Sequence, residues 1–259
     1  MILDKVYCAD ALDFLTKLEN DSIDLAIIDP PYNLNKGKWD SFDSEEEYFS
    51  FTFDWIDLLI PKLKHTASLY LFNTAFNSAI ILNYLNSKKL VFRNWITWYK
   101  KDGFSYTTKK FANSQETLLF FSKSNSNIFN YDDVRIPYLS TDRMYHAQSK
   151  GILKNGKRWF PNPKGKLCGD VWEITSQRHK QKINGKVQTL SHPTTKPYEM
   201  IERIIKASSN ENDLVLDLFS GSGTTSLVAK NLNRRFIGCE LNEEYISNIE
   251  GLGLEIERL

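Results

Sequence analysis

The stretch VLDLFSGSGTTSLVAK (residues 215–230) indicates the fold, because it joins an apolar strand to a helix through a glycine loop. A continuous apolar strand is typical of a parallel sheet, in which both faces are buried. Gly221 and Gly223 allow a ligand to approach the backbone, and the following helix offers unpaired N–H groups at its N-terminus. The spacing also suits an ordinary tight strand–helix turn. The stretch therefore predicts an α/β unit with a candidate ligand site.

Acidic residues flank this loop and restrict the ligand. Asp217 lies at the end of the strand, and Glu240 ends the next strand, in FIGCE. A carboxylate at the second position commonly binds ribose hydroxyls. Asp217 would repel the pyrophosphate of a nicotinamide dinucleotide, whereas it would attract a ligand carrying an amine and a sulfonium. The acids thus favour S-adenosylmethionine as the cofactor.

The rest of the chain alternates strand-like and helix-like segments on both sides of a different middle part. IDLAIID, SLYLFN and FRNWITWYK are strand-like, and amphipathic or apolar helical segments lie between them. The same alternation returns after residue 190, and we find no internal repeat. This pattern predicts a doubly wound, mostly parallel, Rossmann-like α/β sheet. We expect residues 1–122 and 191–259 to form two parts of one catalytic domain.

The middle part, residues 123–190, is rich in Asn, Lys and Gly and has no clear period. Residues 93–190 hold 18 Lys and Arg against 7 Asp and Glu, a net of +11, whereas the remainder has 15 against 25, a net of −10. The overall charge of +1 conceals this asymmetry. We interpret 123–190 as a basic, loop-rich insertion that binds a polyanion, although a solvated lysine-rich surface would have the same composition.

Composition places the chain among ordinary globular proteins. No apolar run approaches the ~18 residues of a membrane span, and the first residues carry acids where a secretory signal has basic ones. Three cysteines lie far apart without C-x-x-C spacing, which argues against a disulfide framework or a zinc site. His146, His179 and His192 form no metal constellation in the sequence. We expect a cytoplasmic protein without a membrane partner or a metal.

A second motif, DPPY, follows the buried strand IDLAI. Asp29 would end this strand, Pro30 and Pro31 fix two φ angles and remove two N–H donors, and Tyr32 adds an aromatic face. The Asp29 carboxylate and the Pro30 carbonyl could accept both hydrogens of a nucleobase amine and localise its lone pair. Tyr32 would stack on a base taken out of the duplex. The alternative is a proline turn in which Asp29 merely caps, and the loop after it, 33–44, is predicted to be mobile.

Three motifs in this order resemble a known family. DPPYN, then HPTTKP, then DLFSGSGTT are similar to those of the β group of S-adenosylmethionine-dependent amino-methyltransferases. In that group the catalytic motif precedes the target-recognition region, and the cofactor loop comes last. The resemblance covers most of the chain outside 123–190. It implies a Rossmann-like fold, methyl transfer to DNA and S-adenosylmethionine as the cofactor.

The resemblance also implies the roles of individual residues. The catalytic group would be Asp29, Pro30, Pro31 and Tyr32. Asp10 and its neighbour Ala11 would meet the cofactor adenine, Lys196 its carboxylate and Glu240 its ribose. The remaining cofactor-binding residues implied by the resemblance are Asp29, Asp217, Phe219, Ser220, Gly221, Gly223 and Thr224.

Within the group, the chain most resembles the MboII-type adenine methyltransferases, which modify adenine in an asymmetric GAAGA site. Asp29 at the first motif position resembles the motif of adenine-N6 enzymes, whereas SPPY is more typical of cytosine-N4 enzymes. The implied partners are double-stranded DNA, a second copy in a homodimer, and a separately acting restriction endonuclease. Restriction-modification is the implied context.

Clustered lysines in the insertion suit phosphate contacts, and residues 104–116 could touch the DNA backbone. Several side chains there can read base edges: Arg143, Arg158, Asn162, Gln177 and Arg178. The sequence leaves open cytosine-N4 methylation, methylation of a protein glutamine amide, an inactive DNA-binding module and, more weakly, an NAD-dependent dehydrogenase.

Overall fold

The computed structural model describes residues 1–100, 108–139, 141–176, 180–183, 186–189 and 195–259. For 141–143, 146, 180–183 and 186–189 it describes the backbone alone. Arg143, Gln177, Arg178 and the three histidines singled out above thus have side chains outside the described part.

A nine-stranded sheet organises these residues. Its strands are β1 (Lys5–Cys8), β2 (Ile23–Ile28), β3 (Leu63–Asn73), β4 (Val91–Tyr99), β5 (Gln115–Ser122), β8 (Val171–Glu173), β11 (Leu214–Asp217), β12 (Arg235–Glu240) and β13 (Glu255–Arg258). Their order is β13-β1-β12-β11-β2-β3-β5-β4-β8. Only β5 runs antiparallel to its neighbours β3 and β4. The other neighbouring pairs are parallel, so the prediction of a mostly parallel sheet is confirmed.

Helices cover both faces of the sheet. Those that pack on the sheet are α1 (Ala11–Lys17), α2 (Glu45–Leu59), α3 (Ala75–Ser87), α5 (Tyr198–Ser208), α6 (Thr224–Asn231) and α7 (Glu243–Gly251), and α4 (Thr141–Lys150) lies in the insertion. Side-chain caps begin several of them, as when Ser44 accepts from the N–H of Glu47 at the start of α2. None of the helices in the described ranges combines the length and the hydrophobicity that a transmembrane span requires.

Alternating side chains of β2 divide the core between two layers. Ala26 and Ile28 join a cluster with residues of α1–α3, whereas Leu25 and Ile27 join a cluster with residues of α5–α7. All six residues of β2 are buried, as expected of a central parallel strand covered on both faces. The predicted doubly wound fold is therefore confirmed.

The insertion has more regular structure than its composition indicates. It contains α4, a short hairpin of β6 (Ile152–Lys154) with β7 (Lys157–Trp159), and the antiparallel strand pair β9 (Lys180–Ile183) and β10 (Lys186–Thr189). Strand β8 also lies in this range, and it pairs in parallel with β4 at the edge of the main sheet. The Nε1–H of Trp98 donates to the carbonyl of Ile174 at 2.7 Å, which attaches the end of β8 to the core. Strands of three or four residues are too short to give a readable period, so the sequence did not indicate them.

Candidate active site

Four neighbouring strands end at the same edge of the sheet and bring the acidic residues together. Asp217 and Glu240 close β11 and β12, Asp29 follows β2, and Asp10 lies just beyond β1. These residues surround a cavity of about 440 Å³, a size suited to a small-molecule ligand. The cavity is also lined by Ala11, Pro30, Pro31, Tyr32, Lys196, Phe219, Ser220, Gly221 and Thr224. The carboxyl edge of an open α/β sheet is the usual place for a ligand.

The glycine loop is held by the carboxylate of Glu240. The N–H of Gly221 donates to Oε2 of Glu240 at 2.7 Å, and the N–H of Asn242 donates to Oε1 at 2.8 Å. Burial raises the pKa of Glu240 although these N–H groups oppose the effect. A loop N–H bonded to a carboxylate is not available to a phosphate, so the arrangement disfavours a dinucleotide.

Gly223 has a different place from the other predicted ligand residues. Its φ is +72°, and it precedes the first turn of α6. It is not among the residues that line the cavity. A Cβ at this position would lie 3.1 Å from Cγ1 of Ile249, so glycine here permits both the left-handed turn and the packing of α7. Ser222 and Thr225, which were not singled out in the sequence, line the cavity instead.

Asp217 is a buried carboxyl at the centre of the acidic edge. Burial raises its pKa to about 7, although hydrogen bonds from the Thr225 side chain and the Phe219 N–H oppose the shift. The Phe219 N–H lies 3.3 Å from Oδ1 of Asp217. The Phe219 ring packs on Trp55 and Phe51 at the cavity wall. A cationic ligand group beside Asp217 would offset the cost of burying its charge.

Asp10 has a structural role as well as a place at the cavity. Its Oδ1 accepts from the N–H of Leu12 at 2.8 Å and from the N–H of Asp13 at 3.3 Å, which caps α1. Ala11, the first residue of α1, lies beside it. The capping bonds fix the carboxylate so that its position at the cavity does not depend on a ligand.

Asp40, a residue that the sequence reasoning missed, fixes the DPPY corner through hydrogen bonds to the backbone of the loop that follows it. This buried carboxylate accepts four backbone N–H groups of the following loop, those of Tyr32, Asn33, Leu34 and Lys36, at 2.6–3.2 Å. Nδ2 of Asn77 also donates to the carbonyl of Tyr32 at 2.9 Å. We predicted a mobile loop over 33–44, but these bonds tie its first residues to one anchor. Asp40 is eleven residues from Asp29, so no local spacing indicated it.

Two carboxylates and two donors meet at the corner. Nζ of Lys196 lies 2.7 Å from Oδ2 of Asp29 and 3.0 Å from Oε1 of Glu116. The hydroxyl oxygen of Tyr32 lies 2.7 Å from Oδ1 of Asp29 and 2.8 Å from Oε1 of Glu116. Lys100 then contacts Oε2 of Glu116 at 2.5 Å. The Lys196 side chain is only 8% exposed, so it is not the surface lysine that a helix start could have supplied.

The two carboxyls of this cluster have opposite pKa shifts. Burial raises the pKa of Asp29 despite the opposing charge of Lys196, and the nearby Glu116 charge adds to the increase. Burial would do the same to Glu116, but Lys196 and Lys100 outweigh it and hold the pKa of Glu116 at about 2. The Tyr32 hydroxyl has one proton for two acceptors, so it can donate to only one of the carboxylates at a time. Because its pKa is raised while that of Glu116 is lowered, Asp29 is the carboxyl of the pair that can take a proton.

Glu116 was also missed by the sequence reasoning. It is a charged residue in the otherwise apolar strand SQETLLFFSK, and a buried charge in such a strand usually has a partner. That signal was present, but its partners Lys196 and Tyr32 are 80 and 84 residues away in the chain. The sequence assigned Lys196 to a cofactor carboxylate, whereas its contacts here are with Asp29 and Glu116. The assignment to the cofactor stays a prediction.

The β6–β7 hairpin carries basic and apolar side chains on the surface. Residues 144–169 contain six Lys and Arg and no Asp or Glu. Leu153 and Trp159 are 70% and 51% exposed, and Arg158 is exposed beside them and donates to the carbonyl of Lys150. Of the predicted base readers, Arg158 and Asn162 lie in this described part, and Oδ1 of Asn162 accepts from the N–H of Lys164. Within the described residues, no group of three or more His, Cys, Asp and Glu could hold a metal ion.

Comparisons with known proteins agree on the family. A family model described as DNA methylase matches residues 23–251. The type II methyltransferase M1.MboII of Moraxella bovis is 59% identical over 245 residues, covering 95% of this chain and 94% of that protein. The type II methyltransferase M.BglII of Bacillus subtilis is 35% identical, covering 94% of this chain and 67% of that protein.

Solved structures agree on the fold. The M1.HpyAVI–SAM complex superposes with a TM-score of 0.64 at 24% identity, covering 96% of this chain and 98% of that one. The cytosine-N4-specific PvuII DNA methyltransferase has a TM-score of 0.71 at 19% identity, covering 96% of this chain and 86% of that one. This chain therefore has the same fold as both proteins, and the fold does not depend on which base a protein modifies.

Proposed function

The chain belongs to the N6/N4 DNA methylase family, and from this premise we propose that it transfers a methyl group from S-adenosylmethionine to the N6 amine of an adenine in DNA. The observation that carries the proposal is the position of Asp29 beside Tyr32 and Lys196, at the same cavity as Asp217 and Glu240.

The residues of the cavity fit S-adenosylmethionine. Bound there, this cofactor supplies a methyl group activated by a sulfonium. Asp217 would take its amine, Glu240 its ribose hydroxyls, and Asp10 and Ala11 its adenine. The Glu240 oxygens each accept one backbone N–H, which leaves lone pairs for hydroxyl donors. The acidic residues around the cavity attract a cation and repel phosphate, which supports this cofactor over NAD.

At the DPPY corner, Asp29 would accept a hydrogen bond from the adenine amine, whose lone pair is otherwise delocalised into the ring. The Pro30 carbonyl would accept a hydrogen bond from the second N–H of the amine. As the nitrogen gains its methyl group it becomes positively charged and must release a proton. The Asp29 carboxylate, with its raised pKa, is placed to receive this proton. Preorganised acceptors and positioning of the base supply the catalysis.

Adenine is supported over cytosine by resemblance. The chain resembles the MboII-type adenine enzymes, and its identity to M1.MboII is 59%. The Asp at the first motif position points the same way. Fold similarity does not discriminate between the bases, because a cytosine-N4 enzyme superposes as well as the others.

The insertion would bind DNA. Its exposed basic side chains suit phosphates, and the exposed Trp159 and Leu153 of the β6–β7 hairpin suit contact with a groove. We propose that 123–190 is the target-recognition region, between catalytic residues 1–122 and cofactor-binding residues 191–259. A homodimer, a separate restriction endonuclease and a cytoplasmic location remain parts of this proposal.

Transfer of labelled methyl groups to mixed-sequence duplex DNA, followed by nucleoside analysis, tests the function. We expect label in N6-methyladenine. Label in N4-methylcytosine would keep the mechanism and replace the base. A protein that binds S-adenosylhomocysteine but labels no DNA would contradict the proposal and point to a protein amide acceptor or an inactive reader.

A further inference from the structure

Glu116 reaches the catalytic corner from β5 and contacts the same two donors as Asp29. Its Oε1 lies 2.8 Å from the Tyr32 hydroxyl and 3.0 Å from Nζ of Lys196. The corresponding contacts of Asp29 are both 2.7 Å long, one on each of its carboxylate oxygens. The two donors therefore lie between two acceptors, close to both.

This sharing affects how Asp29 meets its substrate. An ionised carboxylate has about four lone-pair sites, and each Asp29 oxygen already accepts one strong donor. A base amine that donates to Asp29 competes with the Tyr32 hydroxyl and the Lys196 ammonium. Lys196 is buried and Tyr32 is half-buried at the cavity, so displacing these donors without another acceptor would leave costly unpaired groups.

We propose that Glu116 is a positioning residue, which takes the Tyr32 hydroxyl and the Lys196 ammonium when Asp29 accepts the amine of the target base. The inference rests on the proposed function. Only the tips of two side chains need to move, because each donor is already within 3.0 Å of Glu116. Lys100, which lies 4.2 Å from the Trp98 ring centroid, holds the other oxygen of Glu116 in place.

The charges of the cluster suit this exchange. Lys196 and Lys100 outweigh burial and lower the pKa of Glu116 to about 2, so this acceptor stays ionised throughout the working pH range. The titratable groups that face Asp29 are Lys196, Glu116, Tyr32 and Asp217. Of these, ionised Glu116 raises the pKa of Asp29, whereas Lys196 lowers it. Removing the Glu116 charge should therefore lower the pKa of Asp29.

The test measures kcat against pH for the full chain and its Glu116→Gln variant, with saturating S-adenosylmethionine and DNA. We expect kcat to fall about tenfold or more, as for other misplaced catalytic groups. The acid limb, where kcat rises as Asp29 ionises, should move to lower pH. The Kd for S-adenosylhomocysteine should not change. Glu199→Gln, a charge removal on the exposed face of α5, is the matched control and should behave as wild type.

Glu116→Asp separates position from charge. It keeps the carboxylate but withdraws it from both donors, so kcat should fall while the acid limb stays in place. If Glu116→Gln does not fold, this variant carries the test, with cofactor Kd as the check on its fold.

Three results would overturn the inference. The first is a wild-type kcat with an unmoved acid limb in Glu116→Gln. The second is a wild-type kcat in Glu116→Asp. A fall in kcat matched by weaker cofactor binding and lower thermal stability, with the acid limb of the pH profile unmoved, would mean that Glu116 has only a structural role. If the wild-type protein itself transfers no methyl group, the proposed function fails first, and the inference with it.

Discussion

At the scale of single residues, the buried Asp217 connects pH with cofactor binding. Burial raises its pKa to about 7, and an ammonium group of a ligand needs the ionised form. Below this pH the carboxyl must lose a proton before it can pair, at about 1.4 kcal/mol for each pH unit. Affinity for S-adenosylhomocysteine should thus weaken by up to about tenfold per unit as pH falls below 7, and level off above it.

Calorimetric titration between pH 5.5 and 8.5 measures this effect. Asp29 and Glu240 also have raised pKa values, so the Asp217→Asn variant is needed to assign the response. That variant should bind weakly with little pH dependence. A wild-type affinity that is constant over this range would show that Asp217 does not bind the ligand amine.

A second residue-scale prediction concerns the glycine loop. Gly223→Ala should destabilise the protein by about 1 kcal/mol or more, because φ is +72° and the new Cβ would lie 3.1 Å from Ile249. Gly251→Ala is the matched control, since that glycine ends α7 and an added Cβ there meets nothing within 4 Å. Urea denaturation compares the two. Equal stabilities would mean that the left-handed turn is not constrained as described.

At the scale of elements, the sequence predicted most of the sheet and one side of the site. Buried strands such as β2 and β11 are continuous apolar runs, and the motifs at their ends correctly placed Asp29 and Asp217 at one cavity. Local signals suffice where a strand leads directly into its functional residue.

The residues that sequence reasoning missed act at long range. Glu116 and Asp40 have their partners on other elements or across a loop, and a single sequence does not show which charged side chains meet in space. Gly223 lies in the strand–helix turn as predicted and packs against α7, whereas its cofactor-binding role stays a prediction. The same limit applies to β8, whose three residues join the main sheet through pairing with β4.

At the scale of the whole molecule, the separation of charge predicts how DNA binds. Residues 93–190 carry a net charge of +11, whereas the remainder carries −10. Affinity for duplex DNA should fall steeply with salt, because lysines that neutralise phosphates release counterions. The double variant Lys154→Gln/Lys157→Gln on the β6–β7 hairpin should reduce the slope of log K against log salt by about 1 for each phosphate that it no longer neutralises.

Fluorescence anisotropy at several salt concentrations measures the slope. Lys17→Gln, an exposed lysine in α1 outside the basic segment, is the control and should leave it unchanged. A flat salt response of the wild-type protein would exclude the insertion as a phosphate-binding surface.

The most direct test of the central claim, that Asp29 acts on the base amine, is single-turnover methyl transfer by Asp29→Ala on a DNA substrate of the wild-type enzyme. We predict that the variant binds DNA and S-adenosylhomocysteine much as wild type does, while transfer falls by about 10²-fold or more. Asp54→Ala, at an exposed aspartate of α2, should transfer at the wild-type rate. Wild-type transfer by Asp29→Ala, or a loss of DNA binding as large as the loss of transfer, would contradict the account.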